Sequence, residues 1–122
     1  MSKEKILIID DEPDFVETLT LMLQARNYDV VTALDGTEGL SKVRTEHPDL
    51  TILDIMMPGM SGYEVCQKLK TSNDTKSMPV IMLTAKGERA SVIEARKAKA
   101  DDYIVKPFNL PTLINKVSKL LL

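Results

Sequence analysis

Cysteine, tryptophan and aromatic residues in general are rare or absent in this sequence, and their scarcity narrows the possible class of protein. It has one cysteine, Cys66, no tryptophan and only 4% aromatic residues. A single cysteine excludes an internal disulfide, which argues against a disulfide-stapled secreted scaffold and leads us to expect a cytoplasmic protein. No apolar run approaches the roughly 18 residues that a membrane span requires, and the charged start does not resemble a signal peptide, so no membrane partner is expected.

The chain also lacks an excess of basic charge. It has 16 lysines and arginines against 18 aspartates and glutamates, for a formal net charge of -2. Because nucleic-acid binders usually carry a basic excess, we expect no direct nucleic acid binding. The 122 residues, 43% of them hydrophobic, are predicted to form one domain over residues 1–122.

Short apolar segments alternate with segments of helical period along the whole chain. The apolar runs predict strands at Ile6–Ile9, Tyr28–Ala33, Leu50–Leu53, Val80–Leu83 and Tyr103–Val105. Helices are predicted after Pro13 and at Thr37–Thr45, Tyr63–Thr71, Arg89–Ala98 and Leu110–Leu121. Five strand–helix units of this kind predict a doubly wound α/β sandwich with a five-stranded parallel sheet.

Polar residues occur where the predicted strands end. Asp10 and Asp11 follow the first strand, Asp54 the third, Thr84 the fourth and Lys106 the fifth. Parallel strands end at one edge of the sheet, so these groups are expected to converge there. Clustered carboxylates repel one another unless a cation neutralises them, and oxygen ligands suit Mg²⁺. The lysine and the hydroxyl would then face a phosphoryl group that a carboxylate attacks.

These strand ends lie within longer stretches that resemble the receiver domain of bacterial two-component response regulators. The matching blocks are Ile8–Pro13, the stretch from Pro48–Leu50 through Leu53–Gly62, Leu83–Ala85 and Ala100–Phe108. Four such blocks in the right order, each at a strand end, are far more specific than one pair of aspartates. The resemblance implies a flavodoxin-like (βα)5 fold with strand order 2-1-3-4-5.

The resemblance also implies a role for each matching residue at the acidic end. Asp54 is expected to be the phosphoacceptor and Asp11 a direct Mg²⁺ ligand. Asp10 is its partner, which in this family often acts through water. The backbone carbonyl of Met56 is expected to supply a further metal ligand, which leaves its side chain free to vary.

Three further residues take roles from the same resemblance. Thr84 is expected to donate a hydrogen bond to the attached phosphoryl group, Lys106 to pair with it, and Tyr103 to act as the switch aromatic. The bond between Lys106 and Pro107 is expected to be cis. Such a domain assists its own phosphorylation and dephosphorylation and is not otherwise an enzyme.

The partners follow from the family as well. The phosphodonor is expected to be a histidine kinase or a phosphotransfer protein. The output partner or domain is expected on the face formed by the fourth helical segment, the fifth strand and the fifth helical segment, with a homodimer possible. Basic residues occur on the two helical segments, namely Arg89, Arg96, Lys97, Lys99, Lys116 and Lys119.

Other interpretations of these residues exist. Asp10 and Asp11 could cap the first helix instead of binding a metal. The domain could be a receiver-like binding module that works without phosphorylation. A Mg²⁺-dependent phosphohydrolase is less consistent with the sequence, because such enzymes carry a second aspartate two residues after the nucleophile, where this chain has Met56.

Two positions deserve separate expectations. Receivers usually have glycine where this chain has Lys99, so we predict either a strained left-handed Lys99 or a reshaped end of the preceding helix. Lys86, two residues after Thr84, is expected near the phosphoryl group, where it would slow or divert hydrolytic water.

Overall fold

The strands form one parallel sheet in a computed structural model, which describes residues 3–85, 93 and 96–122. The strands are β1 (Lys5–Ile9), β2 (Asp29–Ala33), β3 (Leu50–Asp54), β4 (Val80–Ala85) and β5 (Asp102–Lys106). Their order is β2-β1-β3-β4-β5, and each neighbouring pair is parallel. The predicted strand order is therefore confirmed.

Four helices are bounded within the described residues. They are α1 (Pro13–Gln24), α2 (Gly36–Glu46), α3 (Gly62–Thr71) and α4 (Leu110–Leu120). The last one is the fifth helical segment of the sequence prediction. Most of the fourth predicted segment, with Arg89, lies outside the described residues, as does Lys86. None of the helices in the described part of the chain is long and apolar enough to cross a membrane.

The starts of the helices follow from local chemistry. Pro13 opens α1, where its missing N–H costs nothing. Asp35, Ser61 and Asn109 precede α2, α3 and α4, and each side chain accepts a backbone N–H three residues further on. The polar residues between the strands therefore set where the crossovers begin.

The sheet is covered on both faces, as its apolar strands predicted. Alternation along β1 sends Ile6 and Ile8 to the face covered by α1 and α4, and Leu7 and Ile9 to the face covered by α2 and α3. Cys66 is fully buried among the second set, and this burial raises the pKa of its thiol to about 11. It is a core residue, as predicted.

Gly62 brings the start of α3 against the end of β3. A Cβ atom at this position would lie 2.2 Å from the backbone oxygen of Asp54. The Gly62 N–H donates to the carbonyl of Ile55 at 3.0 Å. Only glycine permits this close approach, which fixes the loop beside the strand end that carries Asp54.

Lys99 has left-handed backbone, as predicted. Its φ is 66°, and its N–H donates to the carbonyl of Arg96 at 3.0 Å. A lysine in this region carries a steric cost of about 1 kcal/mol that glycine avoids. The side chain of Lys99 is exposed, so packing does not offset that cost.

We expect Lys99→Gly to raise the free energy of unfolding by about 1 kcal/mol, because it removes this strain. Urea denaturation would measure the change. Lys68→Gly is the control: Lys68 is exposed within α3, so glycine there should lower the free energy of unfolding by a similar amount. A Lys99→Gly protein that is no more stable than the parent would contradict the assignment of strain.

Candidate functional site

Three carboxylates meet at the carboxyl edge of the sheet. β1 and β3 are hydrogen-bonded neighbours, with Ile9 opposite Leu53, so the residues that follow β1 come beside Asp54. One carboxylate oxygen each from Asp10, Asp11 and Asp54 lies within 4.8 Å of the others. The predicted convergence of the three aspartates is confirmed.

Asp10 is the most constrained member of this acidic cluster. It is fully buried, and its carboxylate accepts the N–H of Glu12 at 3.0 Å and the ammonium of Lys106 at 3.1 Å. Glu12 is the N-cap residue of α1 but makes no capping hydrogen bond with its own side chain. Asp10 therefore stabilises the turn into α1 and also belongs to the cluster, but the N-cap residue is Glu12, so the interpretation of Asp10 and Asp11 as helix caps is wrong.

Lys106 reaches the cluster from the end of β5. Its Nζ lies 3.1 Å from Asp10, 3.6 Å from Asp54 and 3.8 Å from the exposed carboxylate of Glu12. It also lies over the ring of Phe15, 4.3 Å from the centroid. Burial acts to lower the pKa of Lys106, but the charges of Asp54 and Asp10 outweigh burial and raise it. The lysine therefore stays charged.

The electrostatics of Asp54 are unfavourable for its charged form. Burial and the neighbouring charge of Asp10 raise its pKa from 3.8 to about 6, and Asp11 contributes in the same direction. Lys106 and a backbone hydrogen bond from Met56 oppose the shift without cancelling it. One lysine among three carboxylates leaves an excess of negative charge, which an added cation would relieve.

Thr84 presents a hydroxyl to the same region. It lies near the end of β4, whose Leu83 pairs with Asp54 of β3. The residue is only 1% exposed, and its Oγ1 has no hydrogen-bond partner among the described residues. An unpaired buried hydroxyl costs about 1–3 kcal/mol, and among the described residues the hydroxyl of Thr20 on α1 also has no partner.

Two further residues of the expected site are Tyr103 and Met56. Tyr103 pairs with Met82 in the sheet and packs, half-buried, against the core under α2 and α3. Its role as a switch stays a prediction. The side chain of Met56 is 69% exposed, in agreement with its expected freedom to vary, while metal binding by its carbonyl stays a prediction. The bond between Lys106 and Pro107 is cis, as expected.

Sequence reasoning missed the aromatic neighbour of the site. Phe15 is not among the predicted site residues, although it lies in the first turn of α1 and so at the same edge. It lines a cavity of about 560 Å³ that opens beside Asp54 and Lys106. The other apolar residues lining this cavity are Leu19, Met22, Met56, Pro107, Phe108 and Leu110.

The donor set of the acidic cluster fits a small divalent cation. Carboxylate oxygens are the ligands that Mg²⁺ prefers, and it binds through one or two of them while it keeps waters or phosphate oxygens. The unpartnered hydroxyl of Thr84 and the ammonium of Lys106 are both donors, which fits an anionic group next to such a cation.

Comparison with known protein families identifies the class of this protein. Residues 6–118 match the response regulator receiver domain. The chain therefore belongs to this family, a family of signalling phosphoacceptors in two-component systems.

Its relatives include longer proteins. The chain is 46% identical over 121 residues to a probable transcriptional regulator, ycf27, of Porphyridium aerugineum, covering 99% of this chain and 49% of the relative. It is 38% identical over 115 residues to the DNA-binding response regulator MtrA of Mycolicibacterium smegmatis, covering 94% and 49%. The chain thus spans about half the length of these relatives.

Solved structures show the same fold. A putative response regulator from Chloroflexus aurantiacus superposes with a TM-score of 0.94 at 35% identity, covering 98% of both chains. The response regulator TrrA from Thermotoga maritima, solved in complex with Mg(2+)-BeF, gives a TM-score of 0.86 at 42% identity, covering 97% of this chain and 99% of that one.

We expect Asp11→Asn to stabilise the metal-free protein and to weaken its response to Mg²⁺. Removing one of three like charges relieves repulsion, by up to about 1 kcal/mol for a half-buried group. Thermal unfolding with Mg²⁺ and with a chelator would measure both effects. Asp74→Asn, the same change in an exposed loop, should alter neither. A parent and an Asp11→Asn protein that gain equally from Mg²⁺ would contradict the predicted ligand.

We expect Thr84→Val to leave the free energy of unfolding unchanged or to raise it by up to about 1 kcal/mol, because the hydroxyl it removes has no partner within the described structure. Thr51→Val is the control: that buried hydroxyl donates to the sulfur of Met78 at 3.4 Å, so its loss should bring no gain. Urea denaturation would measure both changes in the free energy of unfolding. Clear destabilisation by Thr84→Val would show that its hydroxyl is already bonded.

Proposed function

We propose that this receiver takes a phosphoryl group onto Asp54 in a Mg²⁺-dependent reaction, with the phosphohistidine of a histidine kinase or a phosphotransfer protein as donor. The observation that carries the proposal is the grouping of three carboxylates, one lysine and one unpartnered buried hydroxyl at a single edge of the sheet. A domain whose only role was to bind partners would have no use for this costly arrangement.

The transfer places Asp54 in the role of nucleophile. An oxygen of its carboxylate forms a bond to phosphorus while the bond from phosphorus to the donor imidazole breaks, and the product is an acyl phosphate. Asp10, Asp11, Asp54 and the carbonyl of Met56 would hold Mg²⁺. When bound, the ion supplies positive charge to the phosphoryl oxygens.

Lys106 and Thr84 act on the phosphoryl group once it is attached. Lys106 is already 3.6 Å from Asp54, so its ammonium can pair with a phosphoryl oxygen by a small movement. Thr84, whose hydroxyl has no partner among the described residues, would gain a hydrogen bond to the phosphoryl group. This gain is a differential interaction between two states, which is what a population shift requires.

The position of Tyr103 supports the proposed output face. It lies on β5, in the same region of the sheet as Thr84, because Met82 and Thr84 are two residues apart on β4 and Tyr103 pairs with Met82. Movement of Thr84 towards the phosphoryl group would free space for the tyrosine ring. The face of the fourth helical segment, β5 and α4 then changes for a downstream protein, an output domain or a second copy of the chain.

The relatives indicate one kind of downstream response, the control of DNA. MtrA is a DNA-binding response regulator, and this chain aligns with about half of it. We propose that residues 1–122 form a single receiver domain and make no direct contact with nucleic acid. Any control of DNA would then act through a partner or a further domain.

The experiment is intact-protein mass after incubation with acetyl phosphate and Mg²⁺. We expect a gain of one phosphoryl group that hydroxylamine removes, as an acyl phosphate requires. Asp54→Asn and a chelator should each abolish the gain, whereas Asp74→Asn should keep it.

A second donor separates the remaining interpretations. If acetyl phosphate and a phosphorylated histidine kinase both leave Asp54 unmodified, the proposal is wrong and the phosphorylation-independent binding module takes its place. Release of inorganic phosphate in many turnovers from added phosphoesters would instead indicate the phosphohydrolase.

A further inference from the structure

The ammonium of Lys106 has an aromatic neighbour that the proposed reaction does not use. Its Nζ lies over the ring of Phe15, 4.3 Å from the centroid. This distance is within the roughly 6 Å over which a cation is attracted to the face of an aromatic ring. The side chain of Lys106 is only 24% exposed, and partial burial strengthens the attraction.

The ring of Phe15 is itself held in place. It stands edge-on to Phe108, with 6.1 Å between the centroids and 86° between the planes, an arrangement that aromatic pairs favour. Both rings are partly buried against the core under α1 and α4. One ring comes from the first turn of α1 and the other from the segment after Pro107, so the pair joins two elements that border the site.

The carboxylates around Lys106 do not fix its position alone. Asp10 accepts a hydrogen bond at 3.1 Å, but Asp54 is 3.6 Å away and Glu12 competes at 3.8 Å. The side chain of Glu12 is 69% exposed, so a lysine drawn to it would leave the cluster. A flexible four-carbon side chain needs a further contact to stay directed at Asp54.

We propose that Phe15 is a positioning residue for phosphoryl transfer, whose ring holds the ammonium of Lys106 against the acidic cluster. The inference rests on the proposed function. In this proposal the ring acts on the reaction through Lys106. An aliphatic side chain of similar size would keep the packing but lose the attraction for the cation.

The first test compares phosphorylation rates from acetyl phosphate at fixed Mg²⁺. We expect Phe15→Leu to slow the reaction by about two- to fivefold, the size of a partly exposed cation–π contact. Phe15→Tyr keeps the ring and should restore the rate. Phe108→Leu removes the same aromatic area from the same cluster but not the ring over Lys106, so its effect should be smaller.

A graded substitution separates electrostatics from packing. Fluorinated phenylalanines placed at position 15 weaken the negative face of the ring while its size barely changes. The rate should fall stepwise with the number of fluorines, and the same series at position 108 should give a flatter trend. A flat fluorine series at position 15 would overturn the proposal.

The second test needs neither metal nor donor. In the metal-free protein, the ring current of Phe15 should shift the ε-methylene protons of Lys106 upfield in the NMR spectrum. The shift should survive Phe15→Tyr and vanish in Phe15→Leu. If the parent protein is not phosphorylated but the shift is present, the proposed function fails while the contact stands. Random-coil shifts for Lys106 in the parent would refute the contact itself.

Discussion

The mutual repulsion of three carboxylates at one edge of the sheet is the constraint on which the rest of the site depends. The parallel pairing of β1 with β3 brings Asp10 and Asp11 beside Asp54, and burial denies Asp10 and Asp54 the screening of water, while Asp11 is half-buried. A buried cluster of like charges destabilises the folded protein unless nearby cations neutralise it. One such cation, Lys106, comes from the far strand β5, and the remaining negative charge is what suits the cluster to a divalent ion.

The apolar core below the site holds the repelling carboxylates together. Strands β1 and β3 are buried on both faces, with almost no polar side chain before the carboxyl end. A rigid, doubly covered sheet can hold repelling groups together because its strands cannot move apart without losing packing on two sides. Gly62 adds to this rigidity, since its lack of a side chain lets the start of α3 lie directly against the backbone of Asp54.

The sequence predicted two parts of the structure: the elements that show a regular hydrophobic period, and the meeting of the polar residues that follow the strands. The buried runs predicted the strands, and the rule that parallel strands end at one edge predicted where Asp54, Thr84 and Lys106 would meet. The left-handed Lys99 was predictable from the glycine that receivers usually have there, and its φ of 66° agrees. By contrast, the burial of the Thr84 hydroxyl, without a partner among the described residues, depends on tertiary packing and has no signature in the chain.

The contact between Phe15 and Lys106 shows why such features escape sequence reasoning. The two residues are 91 positions apart, and an aromatic residue on the apolar stripe of a helix is usually core. Only the structure shows that α1 begins at the same edge as the lysine, so that its first inward-facing ring meets a cation. The crowding that makes Asp54 hard to ionise therefore also places the ring of Phe15 against Lys106, whose charge opposes the rise in the pKa of Asp54. In this site, the ammonium of Lys106 is shared among three carboxylates and the ring of Phe15, and under the proposed function the balance among these contacts decides how readily the lysine can turn to a phosphoryl group.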